Sequence, residues 1–421
     1  MKNHALKQLV CLCVLLCHGI AMHAQDTLQI SLPDAENKFL QNNLSLLAEK
    51  YNIDISRAAI IQARLYNNPT LNINGSLYDP VQKKAFNVSN RNGQYFASVE
   101  QLVRLAGKRN KEIKLAETAS MISESNFYDL LRTLRFTLRS TFYEMYYTQR
   151  SVNAYQQQIS SLEVLNRAYI TLKDKNIVSQ KDAVRIQALL YGLQTEQATL
   201  QNQVNELGST LQLLLQDNSS WYIPVREDTG RTLPPLNLQS LIDSAYANRA
   251  DFKTVQQSLL YRQQNYQLQK AMAVPDLTLG VEFDKRSNYI DNATLFSVTM
   301  DLPFFNRNQG NIKAARYSVE QSKVQLTQQQ QLLENEVQKA YAKVLLTDKM
   351  LHTIDSGFQS DFEMLLKGVT ENFQRKNISL IEFTDFYESY KNNFLQLNSL
   401  KANRMQAIEG MNYAVGKLIL F

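Results

Sequence analysis

Residues Lys108 to Lys173 read KRNKEIKLAETASMISESNFYDLLRTLRFTLRSTFYEMYYTQRSVNAYQQQISSLEVLNRAYITLK, with no glycine and no proline, just after Gly107. Such a run favours unbroken helix. At about 1.5 Å per residue it makes a rod roughly 100 Å long, which no globular core requires. Leu131, Leu138, Met145, Val152 and Ile159 recur every seven residues. Phe127, Leu134, Tyr155, Leu162 and Tyr169 belong to a second seven-residue series. Together they predict a narrow seam packed on other long helices. The remaining surface is rich in Gln, Ser, Thr and Arg and expects water.

Working outward, the rod has a twin. From Asn311 to Arg375 there is no proline, and the only glycines are Gly357 and Gly368. Val337, Val344, Leu351, Phe358 and Leu365 again recur every seven. Two such rods predict an internal duplication and one elongated body of two similar halves. Each rod is expected to turn back on itself, at Asp174–Ser179 and at Lys376–Leu380, into a second helix, 180–215 and 381–416. The tip strings Lys175-Asn176-Ile177 and Lys376-Asn377-Ile378 match.

Ahead of each rod the same order recurs. Residues 33–67 read as two helices with a break near Asn52–Asp54, and 238–272 as one helix. Each run ends at a proline, Pro69 or Pro275. Residues 70–78, 94–103, 276–284 and 294–302 follow strand period, separated by polar loops. Between the halves, Asp217–Leu236 holds the one tryptophan, Trp221, with Pro224, Pro234 and Pro235, and reads as a linker or small side domain.

The first 24 residues read as a secretory signal: Lys2 and Lys7, an apolar core from Leu9 to Leu16, and a cut after Ala24. Cys17 would be the cut site of a lipoprotein, but Leu16 before it fits that poorly. The cut removes Cys11, Cys13, Cys17, His4, His18 and His23, leaving His352 as the one histidine. No disulfide framework and no Cys/His metal centre can then form, and nucleophilic catalysis lacks its residues. Neither a phosphate-binding glycine loop nor another catalytic motif is present. No enzyme, cofactor or metal site is expected. Removing two lysines leaves 43 basic against 39 acidic residues (45 − 2 and 39), interspersed, which argues against nucleic acid.

Predicted strands of nine or ten residues have the length of tilted membrane strands. Four strands cannot close a barrel, and an open edge is not tolerated in lipid, so several chains would have to share one barrel. Here the chain resembles the TolC family of outer-membrane efflux channels. The resemblance rests on Asn68-Pro69-Thr70-Leu71, on the run from Gln101 to Arg109, on Asp301-Leu302-Pro303-Phe304-Phe305-Asn306-Arg307-Asn308-Gln309-Gly310, and on the two tips. The last string is most similar to the heavy-metal branch, of cobalt–zinc–cadmium and copper–silver type.

The resemblance implies a mainly α protein with membrane β: a two-repeat protomer of long helical hairpins plus four strands. It implies a homotrimer whose 12-stranded β-barrel in outer-membrane lipid continues into a 12-helix α-barrel. The domains expected are the signal (1–24), a first efflux repeat (25–216), a linker (217–236) and a second repeat (237–421). The partners implied are a periplasmic adaptor (membrane fusion protein) and an inner-membrane RND pump, in a tripartite system exporting heavy-metal cations from the Gram-negative envelope. A duct for drugs, amphiphiles or type I secretion and a secreted coiled-coil scaffold are the other readings.

Two sites are carried over. Glu382 and Asp385, three apart on one helix face, match the acidic pair that lines the periplasmic gate in the family. The corresponding first-half residues are Asp182 and Arg185. The tips Lys175, Asn176, Ile177, Val178, Ser179 and Lys376, Asn377, Ile378, Ser379, Leu380 match the adaptor contact. There Ile177, Val178, Ile378 and Leu380 are expected to be exposed, and Asn176 and Asn377, or a neighbour of each, to stand where the family has glycine. The run Tyr143, Met145, Tyr146, Tyr147 reads as packing between helices, His352 as a helix-surface residue, and Phe421 as a terminal aromatic.

Overall fold

The Lys108 rod is one helix. In a computed structural model that describes residues 26–89, 91, 93–226, 232–286, 290–354 and 358–420, it runs from Lys108 to Asp174. The chain order is β1 (Asp26–Ile30), α1 (Leu32–Asn42), α2 (Leu44–Ala63), β2 (Thr70–Gly75), β3 (Tyr78–Asp79), β4 (Lys84–Ala85), β5 (Tyr95–Val103), α3 (Lys108–Asp174) and α4 (Gln180–Leu215). Then follow β6 (Ser220–Pro224), α5 (Leu238–Asn248), α6 (Ala250–Met272), β7 (Leu277–Arg286), β8 (Asp291–Met300), α7 (Gln309–Thr353), α8 (Phe358–Gln374) and α9 (Leu380–Val415). The signal, Gly357 and Phe421 lie outside the described residues.

Several boundaries differ from the sequence reading. The first helical break falls at Asn43, not at Asn52–Asp54. Asn43 takes extended backbone and its amide donates to the Leu214 carbonyl at 3.1 Å. The expected helix 238–272 is likewise split, at Arg249, whose backbone is extended. The second rod is not continuous: α7 ends at Thr353 and α8 starts at Phe358. The linker contributes β6, which pairs in parallel with β1, Asp26 beside Ser220 through Ile30 beside Pro224. Neither strand alternates over more than five residues, too short for periodicity to stand out.

The chain forms two units. One gathers residues up to Asn43, Leu134–Leu233 and Lys343–Gly410; the other takes Leu44–Thr133, Pro234–Ala342 and the chain from Met411. In the first, Leu138, Met145, Val152, Tyr155, Ile159 and Leu162 of α3 are buried, as the heptad predicts. Around residue 140 the seam broadens, because Arg139, Thr141, Phe142, Tyr143 and Tyr147 are buried too. Arg139 lies between α1 and α9. Its Nε and Nη2 donate to Glu409 at 2.6 and 2.8 Å, and Nη1 donates to Glu36 at 3.2 Å. Tyr147 and Tyr143 both meet Arg226, the first through a 2.7 Å hydrogen bond from Arg226 Nη1. Gly208 of α4 lies flat against the Trp221 indole, where an added Cβ would come within 2.3 Å.

In the second unit, the buried Arg249 between α5 and α6 donates to Asp251 at 3.0 Å and to Glu336 at 2.6 Å. Gly416 ends α9 with φ +81°, and its Cα approaches Arg249 so closely that a Cβ would meet its backbone near 3.1 Å. The same unit holds a four-stranded antiparallel sheet, β2-β5-β7-β8.

Candidate functional site: paired helix tips and a two-faced sheet

The two tips share one geometry. At the end of α3, the Ile177 amide donates to Leu172 and that of Asn176 to Lys173, both at 2.9 Å. At the end of α8, the Asn377 amide donates to Asn372 and that of Lys376 to Phe373, also at 2.9 Å. This is the Schellman closure, whose penultimate residue must be left-handed. Those residues are Asn176 (φ +58°) and Lys376 (φ +62°). The tips therefore correspond with a shift of 200, pairing Lys175 with Arg375 and Ile177 with Asn377. The Lys-Asn-Ile strings are one residue out of register, and Asn377 is not the left-handed position. Where Ile177 stands above Leu172, Asn377 instead donates its side-chain amide to Asn372 at 3.0 Å.

Three residues beyond each left-handed position a serine caps the returning helix. Ser179 Oγ accepts from the Asp182 amide at 3.1 Å. Ser379 Oγ accepts from the Glu382 amide at 3.2 Å, and the Ser379 amide donates to Glu382 Oε2 at 2.8 Å. The second tip thus carries a full capping box. The signal Ser379-x-x-Glu382 was legible in the sequence and was passed over there. The Ser379 amide and then its hydroxyl hold the Glu382 carboxyl below its ordinary range. Glu382 and Asp385 are both exposed, on the side of α9 away from the buried Phe383 and Tyr387. Of the four apolar tip residues, Ile177 is exposed, Val178 and Ile378 are half-buried, and Leu380 is buried, against expectation. Leu380 and Ile378 turn into the core beneath the tips.

That core is a run of stacked rings. Tyr169 stacks on Phe373 at 5.7 Å, Phe373 on Phe383 at 4.4 Å, and Phe383 leads to Tyr387 at 5.6 Å. Farther along, Glu196 of α4 joins three helices. Tyr155 of α3 donates to it at 2.7 Å, and Lys391 of α9 at 2.9 Å. Burial alone would raise the Glu196 carboxyl; these two donors outweigh it and hold it low. A polar groove of about 600 Å³ runs beside them, lined by Arg150, Gln158, Lys367, Glu371, Tyr387 and Tyr390 among others. In it the Tyr387 hydroxyl and Gln158 Oε1 are buried with no hydrogen-bond partner among the described residues, a costly arrangement in a finished surface.

The sheet has two unlike faces. The register places Leu71, Ile73, Val99, Leu279, Val281, Phe283, Phe296, Val298 and Met300 on one side. All but Phe283, which is half-buried, are exposed. On the other side lie Thr70, Asn72, Ser98, Glu100, Thr278, Glu282, Asp284, Ser297 and Thr299, interrupted by Phe96, Leu102 and Leu295, so this face is mainly polar. Soluble proteins do not expose contiguous apolar area of this size without a covering partner. Both outer strands, β2 and β8, keep an unpaired edge among the described residues. No described helix is long and apolar enough to cross a membrane. Among the described residues no group of three His, Cys, Asp or Glu is arranged to hold a metal, and exposed His352 lies against Asp348 on its own helix.

Comparison with known proteins places this architecture. Residues 241–361 match the Outer membrane efflux protein family. The cobalt-zinc-cadmium resistance protein CzcC of Cupriavidus metallidurans is 22% identical over 377 residues, covering 87% of this chain and 82% of that protein. The crystal structure of CusC superposes with a TM-score of 0.74 at 16% identity, over 92% of each chain. The Campylobacter jejuni CmeC outer membrane channel gives 0.76 at 12% identity, over 93% of this chain and 87% of that one. Residues 241–361 carry the sequence pattern of outer membrane efflux proteins, and the fold over about nine-tenths of the chain is that of the channel structures it resembles. The proteins it resembles are a metal-resistance protein and outer-membrane channels.

Proposed function

We propose that the protein is the exit duct of a tripartite RND-type efflux system and exports heavy-metal cations. The observation that carries the duct is the sheet: four strands with one exposed apolar face, one polar face and two open edges. Lipid tolerates neither an unpaired edge nor a polar face. Three copies supply twelve strands, close every edge and put the polar faces around a lumen. The paired hairpins of three copies supply the twelve helices of the periplasmic tunnel. The chain then divides into the signal (1–24), two efflux repeats (25–216 and 237–421) and the connecting segment 217–236.

Glu382 and Asp385 of three copies form an acidic ring at the periplasmic entrance. Exposure of both carboxylates beside a tip, and the low-held charge of Glu382, support this reading. The tips 175–179 and 376–380 dock the periplasmic adaptor, with Ile177 as their most exposed apolar side chain. Similarity to the cobalt-zinc-cadmium resistance protein supports metal cations as cargo. In the test, a deletion strain is challenged with zinc, cobalt, cadmium, copper and silver salts beside bile salts and dyes, while outer-membrane fractions are examined for a heat-modifiable trimer. Trimer with metal sensitivity alone is expected. Sensitivity to amphiphiles alone would replace the cargo, and absence of the trimer would remove the duct.

A further inference from the structure

The register of the sheet brings two helix starts together. Val103, at the end of β5, pairs with Leu277, which pairs with Met300 near the end of β8. Helices α3 and α7 therefore leave the sheet at the same end, where the chain also enters β2 past Tyr66. Three large rings stand in the open there: Phe305 is 94% exposed, Tyr66 76% and Phe304 71%. Leu302 lies just beyond the end of β8, and the chain then turns, the Phe304 amide donating to the Leu302 carbonyl at 2.9 Å.

The charge at this end is one-sided. Neither α3 nor α7 has an acidic residue in its first turn, although a helix N-terminus favours anions and is opposed by cations. Arg104 is paired with Glu112, Lys108 with Asp276, and Arg64 with Glu117. Arg109, Lys111, Lys114, Arg307, Lys313 and Arg316 have no carboxylate within ion-pair distance among the described residues. Arg109 instead lies over the Tyr66 ring at 3.8 Å, and Lys111 donates to the Ala106 carbonyl at 2.7 Å. Between β8 and α7 the one described carboxylate is the exposed Asp301. Six cations without a carboxylate partner, set against this helix polarity and beside exposed aromatic rings at the end of an apolar sheet face, have one complementary occupant.

We propose that this end of the sheet is a phospholipid-binding collar. Phe304, Phe305 and Tyr66 enter the boundary between acyl chains and headgroups, and the cations hold anionic phosphate headgroups of the periplasmic leaflet. Aromatic rings settle at that depth, and basic clusters beside it attract anionic lipid. The collar rests on the outer-membrane channel reading and gives it a lipid preference.

The test uses the assembled protein purified from outer membrane, carrying Phe305→Trp, in vesicles with dibrominated acyl chains. The Trp221 signal of the parent protein is subtracted. Quenching is expected from both phosphatidylglycerol and phosphatidylcholine. The anionic lipid should be preferred by at least about tenfold, taking roughly 1 kcal/mol per basic residue near the surface as the scale. Replacing Arg307→Gln, Lys313→Gln and Arg316→Gln together should bring that preference to below about twofold while the trimer remains assembled. No quenching, or equal quenching by the two lipids in the wild-type background, overturns the collar. Failure of the channel reading shows earlier and separately, as absence of the heat-modifiable trimer from the membrane fraction.

Discussion

A left-handed lysine is the least comfortable residue in the second tip. Lys376 has φ +62°, a region that costs a residue with a Cβ about 1 kcal/mol and costs glycine little. Lys376→Gly should stabilise the tip by roughly that amount, seen as slower amide exchange across residues 375–379. The same change at Asn377 should speed exchange, because it removes the side-chain bond to Asn372. A second effect at this scale depends on pH. Glu196 is held below the ordinary glutamate value of 4.5 by Tyr155 and Lys391 against the pull of burial. A depressed carboxyl stabilises the fold above its unfolded pKa and loses that contribution as pH falls through its folded one. Protection of α9 should therefore weaken as pH drops below about 4.5, and Glu196→Gln should flatten that dependence.

At the scale of elements, the heptads made the long helices plain, and strand period located β2, β5, β7 and β8. What misled was identity of letters. Lys-Asn-Ile occurs at both tips, yet the turn is fixed by backbone spacing, three residues from the left-handed position to the capping serine. Counting from Ser179 and Ser379 gives the register that matching side chains missed. The break at Asn43 was hidden because it depends on the Leu214 carbonyl, far away in sequence. The gate proposal for Glu382 and Asp385 rests on position relative to the tip, whereas the capping role of Glu382 needed only the local pattern. The β1–β6 pair offered no signal, since a parallel pairing across some 190 residues leaves no local trace.

Two predictions belong to elements. The Arg139–Glu409 pair is buried and bidentate, so Glu409→Gln should cost about 3 kcal/mol by leaving the buried guanidinium with the longer Glu36 contact as its counter-charge. The double change Arg139→Met with Glu409→Leu should recover most of it, read as the temperature at which the trimer dissociates. On β7, Val281→Arg on the apolar face should destabilise membrane insertion by about 2–4 kcal/mol, while Glu282→Gln on the opposite face is tolerated. Equal loss of trimer in both variants would contradict the two-faced reading.

For the whole molecule, the proposed acidic ring makes the decisive prediction. Glu382→Ala with Asp385→Ala should raise single-channel conductance in planar bilayers and reduce preference for cations. Ser379→Ala, which removes the cap and leaves both carboxylates, separates loss of charge from fraying of the helix start. Conductance that follows Ser379→Ala rather than the carboxylates would assign the effect to the cap.

The unpaired edges of β2 and β8 also carry a genetic consequence. In the proposed trimer, an edge closed by a neighbour makes each subunit a condition for the others. A proline placed in β8 where the neighbour's strand should pair would spoil every ring that contains it. In a cell expressing equal amounts of both forms, random assembly leaves about one trimer in eight wholly wild type. Edge defects should therefore be dominant, whereas loss of the gene from one of two copies should leave half the channels intact.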